Sequence, residues 1–313
     1  MAKPYLSIVV PVYNEAGNLA QLHTRLTNTL DRYGKPYEVI LVNDGSRDTT
    51  ETLLNEIHQK SPRHFRIIHF NGNFGQHMAI IAGFERVRGD IIITLDADLQ
   101  NPPEEIPNLV EAIEKGHDYV GSIRKNRQDS SFRRWASRLN NSIRARITGI
   151  VMTDQGCMLR AYRRHVIDAV VTSKESSVYI PALAYSFASK PTEIEVEHGP
   201  RAAGESKYNL YKLLRLNFDL MTGFSLAPLQ VFTVFGMLVS IFSTLFVIYL
   251  FVRRLMLGPE AEGMFTLFAI LYFLIGVGLM GLGIVGEYVG RVYKEVRQRP
   301  HFIIRETLET QDE

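Results

Sequence analysis

The sequence predicts an α/β domain, a mainly parallel sheet with helices on both faces, followed by a two-helix transmembrane hairpin. Three observations carry that reading. Up to about residue 200, short and uniformly apolar runs alternate with segments of helical period, the pattern of a parallel sheet covered on both sides. Polar clusters close several of those runs. Near the C-terminus, Leu229–Val252 and Met264–Gly286 carry no charged residue over 24 and 23 positions, and about 20 apolar residues span a bilayer as a helix. With 46% hydrophobic and 22% charged residues among 313, the chain is not a disordered one. Its net charge of +2 lacks the basic excess of a nucleic-acid binder, so no nucleic-acid partner is expected. A single cysteine, Cys157, excludes an intrachain disulfide framework and a Cys-rich zinc site, and is read as buried and inert.

The elements follow in order. Leu6–Val12 (LSIVVPV) is a buried-strand pattern, and it is too short, and interrupted by Pro11, to be a signal peptide. Gly17–Tyr33 places Leu19, Leu22, Leu26 and Leu30 at helical spacing. Tyr37–Val42 is a second strand, closed by Asn43-Asp44-Gly45-Ser46, and Ser46 or Asp48 is the expected N-cap of the next helix. Arg66–Phe70 is a third strand, Phe74–Arg86 a helix and Ile91–Leu95 a fourth strand. Pro102-Pro103-Glu104-Glu105 opens another helix, because proline and acids suit a first turn. Tyr119–Ser122 and Glu193–Glu197 are later strands.

In open sheets of this kind ligands bind outside the carboxyl ends of the strands, so the loops after strands one, two and four hold the candidate chemistry. They contain Pro11, Tyr13, Asn14 and Glu15; Asp44, Gly45 and Ser46; and Asp96-Ala97-Asp98-Leu99-Gln100. A lone acid at a strand end is often a helix cap, but three clusters converging on one crevice are not explained that way. Neither the dinucleotide fingerprint nor a phosphate-binding P-loop occurs. Asp96 and Asp98, two residues apart, can share one cation, with Gln100 as a neutral oxygen ligand. Such a hard, open oxygen set suits Mg²⁺ or Mn²⁺ bridging phosphate oxygens.

Val10-Pro11-Val12-Tyr13-Asn14-Glu15, Val42-Asn43-Asp44-Gly45-Ser46 and Asp96-Ala97-Asp98 resemble the three signatures of family 2 glycosyltransferases, which have a GT-A fold. Adding the C-terminal hairpin, the chain is similar to the polyprenyl-phosphate glycosyltransferase branch, akin to dolichol-phosphate mannose synthases. Within it, the chain most resembles the bacterial transferases that place 4-deoxy-4-formamido-L-arabinose on undecaprenyl phosphate. The stretches that carry this are Asn73–His77, Leu99–Pro107, Asn126–Ser130, Gly156–Arg164, Gly204–Tyr208 and Gly286–Arg291, so the likeness runs over essentially the whole chain.

The resemblance implies an inverting transfer from a UDP-sugar to a polyprenyl phosphate, metal-dependent, feeding lipid A modification and resistance to cationic peptides such as polymyxin. It places Pro11, Tyr13, Glu15, Asp44 and Ala97 around the nucleotide-sugar, with Arg201 and Lys207 on the donor diphosphate. Arg124 and Arg160 fall to the acceptor phosphate. Asp96, Asp98 and Asp154 are the catalytic acids, Asp154 because Cys157 stands where some relatives carry a second acid. A homo-oligomer, a tetramer, is implied as well. Glucosyl, mannosyl or N-acetylhexosaminyl transfer to the same lipid is the alternative within the branch. A non-catalytic scaffold would not be expected to keep Glu15, Asp44, Asp96 and Asp98 together. A chain-extruding synthase would carry Gln-x-x-Arg-Trp where this chain has Ser131-Phe132-Arg133-Arg134-Trp135.

The organisation expected is a cytoplasmic catalytic domain over 1–205, an amphipathic interface segment over 206–228, a transmembrane hairpin over 229–286 and a cytoplasmic tail over 287–313. Lys207, Lys212, Arg215, Arg291, Lys294, Arg297 and Arg299 flank the hairpin against Arg253 and Arg254 in its turn. The basic excess puts the catalytic mass on the cytoplasmic side of a bacterial inner membrane, as a multi-pass protein. Ser130–Ile150 and Tyr208–Phe224 read as basic amphipathic helices lying against the lipid bilayer.

Overall fold

The computed structural model describes residues 3–125, 150–154, 156–173, 179–199, 227–257, 264–297 and 300–310. Contacts divide the chain into two units, Met1–Tyr208 with Arg299–Glu313, and Asn209–Gln298. The 287–313 tail of the sequence reading is thus divided between them. The two helices expected at 130–150 and 208–224, and Arg201 and Lys207, lie outside the described residues.

The first unit is built on eight strands: β1 (Leu6–Val12), β2 (Tyr37–Asn43), β3 (Phe65–Phe70), β4 (Ile91–Thr94), β5 (Tyr119–Arg124), β6 (Arg160–Arg163), β7 (Pro191–Val196) and β8 (Ile304–Leu308). Their order is β7-β5-β6-β4-β1-β2-β3-β8. The central strands β4, β1, β2 and β3 are parallel, as their predominantly apolar runs predict. On the flanks β7 runs parallel to β5, whereas β6 is antiparallel between β4 and β5 and β8 antiparallel along β3. The sheet is therefore mixed but, as expected, mainly parallel. The short, charge-rich runs RAYR and IRETL show no apolar stripe, and periodicity alone did not mark them as strands.

Among the described residues this unit also holds helices α1 (Ala16–Tyr33), α2 (Thr50–Lys60), α3 (Gln76–Phe84), α4 (Ile106–Glu114), α5 (Arg164–Ser173) and α6 (Ile180–Phe187). α1 starts one residue before the expected bound, and its Leu19, Leu22, Leu26 and Leu30 are all buried. They join Ile8, Val10, Val39, Leu41, Leu54 and Ile106 in one core. Alternate residues of the same strands, such as Val9, face the other way, where Val9 packs against Gly83 of α3. Helices thus cover both faces. α2 is entered from Thr49 rather than Ser46 or Asp48, although Asp48 Oδ1 accepts the Thr50 N–H at 3.0 Å. Ser46 instead serves the neighbouring loop.

β8 covers an edge that would otherwise expose β3. Arg66 fastens it: its guanidinium meets Glu38 at 2.9 Å and Glu309 at 2.6 Å, and Phe302 stacks on Phe70 with centroids 5.1 Å apart.

The second unit holds α7 (Ala227–Leu257) and α8 (Met264–Val296). Both contain stretches long and apolar enough to cross a membrane, Leu229–Arg253 and Ile270–Gly290. Their apolar side chains point outward: Val231, Phe242, Leu245, Leu267, Tyr272 and Leu282 are all more than 60% exposed. A water-facing surface of that kind is unfavourable, whereas a lipid-facing one is expected. α8 continues ten residues past the predicted bound at 286, into the basic run. The helices meet where Gly281 lies against the Phe232 ring, leaving no room for a Cβ.

Candidate active site

The loops leaving the parallel strands are cross-linked by side chains. Asn14, in the loop after β1, donates its N–H to Ser46 Oγ at 3.0 Å, and its Oδ1 accepts from Arg47 N at 2.8 Å. Glu15 N donates to Thr50 Oγ1 at 3.0 Å. Loops one and two are therefore one structure. Asn14 holds φ 55°, in the left-handed region that asparagine tolerates better than most residues. Tyr13 stands exposed at the rim, 42% accessible, while Pro11 is buried within β1 beside Val42.

Asp44 ends β2 and is buried. Its Oδ1 accepts from Phe74 N at 2.7 Å, and its Oδ2 from Gly75 N at 2.9 Å and Asn73 Nδ2 at 3.0 Å. Burial raises its pKa, and the two backbone donors oppose that rise. Gly45 (φ 66°) lies so close to the Gly72–Asn73 backbone that no Cβ would fit. The carboxylate thus organises the loop after β3, which the sequence reading had not counted as part of the site.

Asp96 and Asp98 follow β4, both partly buried, with Ala97 buried between them. Gln76 Nε2, at the start of α3, donates to Asp96 Oδ1 at 2.7 Å. Burial pushes the Asp96 carboxyl up to about 7, with the neighbouring Asp98 and then Glu15 adding to the rise; the Gln76 bond and Arg124 oppose it. Asp98 Oδ1 accepts from Gln100 N at 3.1 Å, and Leu99 between them holds φ 60°, a strained value for leucine. Asp98 and Glu15 crowd the Asp96 carboxyl, a repulsion that a cation would relieve. Among the described residues no group of three His, Cys, Asp or Glu side chains stands close enough to hold a metal alone. The two carboxylates are hard oxygen donors of the kind that suit a divalent ion.

The segment around residue 154 has a different character. Arg124 at the end of β5 meets the Asp154 carboxylate in a two-pronged pair, Nε to Oδ2 at 2.6 Å and Nη2 to Oδ1 at 2.9 Å, and Gly156 N donates to Oδ1 at 3.0 Å. Asp154 is 2% exposed on its side chain against 24% for Arg124. The acid expected to be catalytic is thus inside, holding a basic residue that reaches the surface. Arg160 departs further from expectation. It is fully buried on β6 and donates to the Cys157 carbonyl at 2.9 Å, the Asp154 carbonyl at 2.8 Å and the Tyr119 hydroxyl. It braces the 154–157 turn from within and does not present its guanidinium to an incoming phosphate. Cys157 is buried, and burial pushes its thiol up to about 11, so it is inert as read from the sequence. His198, after β7, also faces this region: its Nδ1 lies 3.4 Å from Asn101 Oδ1, and Gly199 N donates to the Gln100 carbonyl at 2.8 Å.

Three contributors are given no role by the sequence alone. Gln76 and the Asn73–Gly75 turn carry no acid, and only their place after a strand end could have marked them. His198 lay in a run of mixed charge with no distinguishing pattern.

The comparisons with known proteins agree with this architecture. Residues 7–171 match the glycosyl transferase family 2 profile. An undecaprenyl-phosphate 4-deoxy-4-formamido-L-arabinose transferase of Edwardsiella ictaluri is 49% identical over 97% of this chain and 94% of its own length. One of the same name from Shewanella sediminis is 48% identical over 97% and 92%. A mycobacterial protein of known crystal structure superposes with a TM-score of 0.51 at 17% identity, over 71% of this chain and 74% of that one, a likeness of fold alone. The mixed sheet with three loop clusters at the carboxyl ends of its strands is accordingly a GT-A fold, and the chain belongs to glycosyl transferase family 2.

Proposed function

We propose that the protein transfers 4-deoxy-4-formamido-L-arabinose from its UDP-linked donor to undecaprenyl phosphate at the cytoplasmic face of a bacterial inner membrane, for lipid A modification and resistance to cationic peptides. The observation that carries the reading is near-half identity to relatives of that name over 97% of the chain, with the strand-end acids all in place.

In this reading Tyr13 and Glu15 border the nucleoside, and Asp44 fixes the loops behind it. Asp96 and Asp98, with Gln100, would hold Mg²⁺ or Mn²⁺. When bound, the cation neutralises charge that develops on the departing UDP. Arg201 and Lys207 supply positive charge to the same diphosphate. The acceptor needs little help to become a nucleophile: a phosphate monoester has a second pKa of about 6, so its oxygen is already anionic at neutral pH. What it requires is position. Arg124, held by Asp154, receives that phosphate in a fixed orientation, and Asp154 serves by aiming the guanidinium rather than by taking a proton. The apolar helices α7 and α8 anchor the chain where its lipid acceptor resides.

The test is a donor panel. Purified full-length protein with undecaprenyl phosphate and Mn²⁺ is given UDP-4-deoxy-4-formamido-L-arabinose, UDP-glucose, UDP-N-acetylhexosamines or GDP-mannose, and lipid-linked product is read by mass. Product from the formamido-arabinose donor alone is expected. Product from another donor instead would keep the transferase and change its sugar.

A further inference from the structure

We propose that Gln76 is a positioning residue for the cation site, set in place through a chain of contacts that begins at Asp44. The proposal rests on the reading of Asp96 and Asp98 as cation ligands and adds to it the group that orients one of them.

The chain of contacts is continuous. Asp44, at the end of β2, takes three hydrogen bonds from Asn73, Phe74 and Gly75, at 3.0, 2.7 and 2.9 Å. Asn73 Nδ2 also reaches the Asp44 carbonyl, at 3.2 Å. Gly45 fits against the Gly72–Asn73 backbone with no space for a side chain, so the two loops are locked together from both sides of Asp44. Gly75, at φ 96°, then turns the chain into α3, and the first residue of that helix is Gln76. Its amide crosses to Asp96 Oδ1 at 2.7 Å. A long, rotatable side chain loses freedom in making such a bond, so the bond is secure only if its base is fixed. The Asp44 clamp fixes that base.

The donor to Asp96 is a neutral amide. Carboxylates that ligate metals are oriented by outer hydrogen bonds. A lysine or arginine here would orient Asp96 but also neutralise it, as Arg124 does Asp154. A neutral amide occupies one lone pair of Oδ1 and leaves the negative charge for a cation. Gln76 is itself exposed, so it is not there to fill the core.

Mn²⁺ binding to full-length protein in detergent, followed by electron paramagnetic resonance of the free ion, tests this with four chains: wild type, Asp98→Ala, Gln76→Met and Gln76→Asn. Met keeps the length and apolar volume of the arm and removes the donor; Asn keeps the amide and shortens the arm by one methylene. Both Gln76 variants should bind Mn²⁺ about 10-fold more weakly than wild type, with an unchanged unfolding midpoint, and turnover should recover at high Mn²⁺. A merely structural role would shift the midpoint and give no rescue by metal. Affinity within twofold of wild type in both Gln76 variants would overturn the positioning role while leaving the cation site standing. Equal Mn²⁺ binding by wild type and Asp98→Ala would instead remove the cation site, and the proposal with it.

Discussion

Two acids near the same crevice have opposite electrostatic surroundings. Asp154 is enclosed and answered by a two-pronged arginine, while Asp96 is crowded by Asp98 and Glu15 and bonded to a neutral amide. Folding a carboxylate beside other carboxylates is unfavourable unless something of opposite charge arrives. The difference separates an acid bonded to an arginine of the protein from one that, in the proposed reading, takes its counter-charge from a bound cation. In the proposed reading it also separates the tasks: Asp96 and Asp98 take a cation, and Asp154 holds a cationic side chain for the acceptor.

Removing a member of each pair should expose that difference. Asp98→Ala is expected to lower transfer by about 10³-fold, the scale at which loss of a preorganised charge-stabilising group is felt, without loss of folding or membrane insertion. Unchanged turnover in a radiolabel transfer assay would sink the cation assignment. Asp154→Ala should act first on stability. It leaves Arg124 without its bonded carboxylate in a largely enclosed site, a change worth about 3 kcal/mol for buried pairs and less here because Arg124 is partly exposed. Thermal unfolding of the two variants side by side should show a lowered midpoint for Asp154→Ala alone.

The next effect is one of pH. The Asp96 carboxyl is raised, to about 7, above its unfolded value. Between about pH 4 and 7 the metal-free folded state therefore holds more proton than the unfolded state, and its stability falls as pH rises through that window. A cation must displace the same proton, so Mn²⁺ affinity should climb between about pH 5 and 7 and level above. A flat Mn²⁺ affinity across that range, followed by calorimetry, would show that the crowding of acids does not govern the site. The smallest effect is expected at Cys157→Ala. The thiol is buried and bonded only weakly, 3.4 Å from Asn101 Oδ1, so turnover should stay within about twofold and stability should fall by about 1 kcal/mol. A large loss of turnover there, with the midpoint unmoved, would assign the thiol a chemical role.

Much of this could be read in the sequence because the central strands obey one simple rule. LSIVVPV, YEVILVN and IIIT are buried on both faces and therefore predominantly apolar, with Ser7, Glu38, Asn43 and Thr94 as buried exceptions, and the polar clusters begin where the chain leaves the sheet. The same rule singles out the acids that follow β1, β2 and β4 as candidates. The rule says nothing about β6 and β8, which carry charge along their length because their side chains meet partners: Arg160 spends its donors on internal carbonyls, and Glu309, just past β8, answers Arg66. Arg160 was misplaced at the acceptor phosphate for the same reason. A buried arginine and an anion-binding one look alike until the partners of the guanidinium are known. Asp154 and Arg124 were each picked out, but 30 positions apart nothing in the sequence shows that they are one ion pair. Gln76 was quoted only as part of a family stretch, since a neutral residue after a strand declares no chemistry until its amide is seen on Asp96.

The most direct test of the account is metal-dependent transfer to lipid. Full-length protein with undecaprenyl phosphate and UDP-4-deoxy-4-formamido-L-arabinose is assayed in Mn²⁺, after chelation, and after Mn²⁺ is restored, with lipid-linked product measured by mass. The account predicts product that disappears on chelation and returns with the ion, and neither appears nor returns in Asp98→Ala. Product that persists through chelation would contradict it.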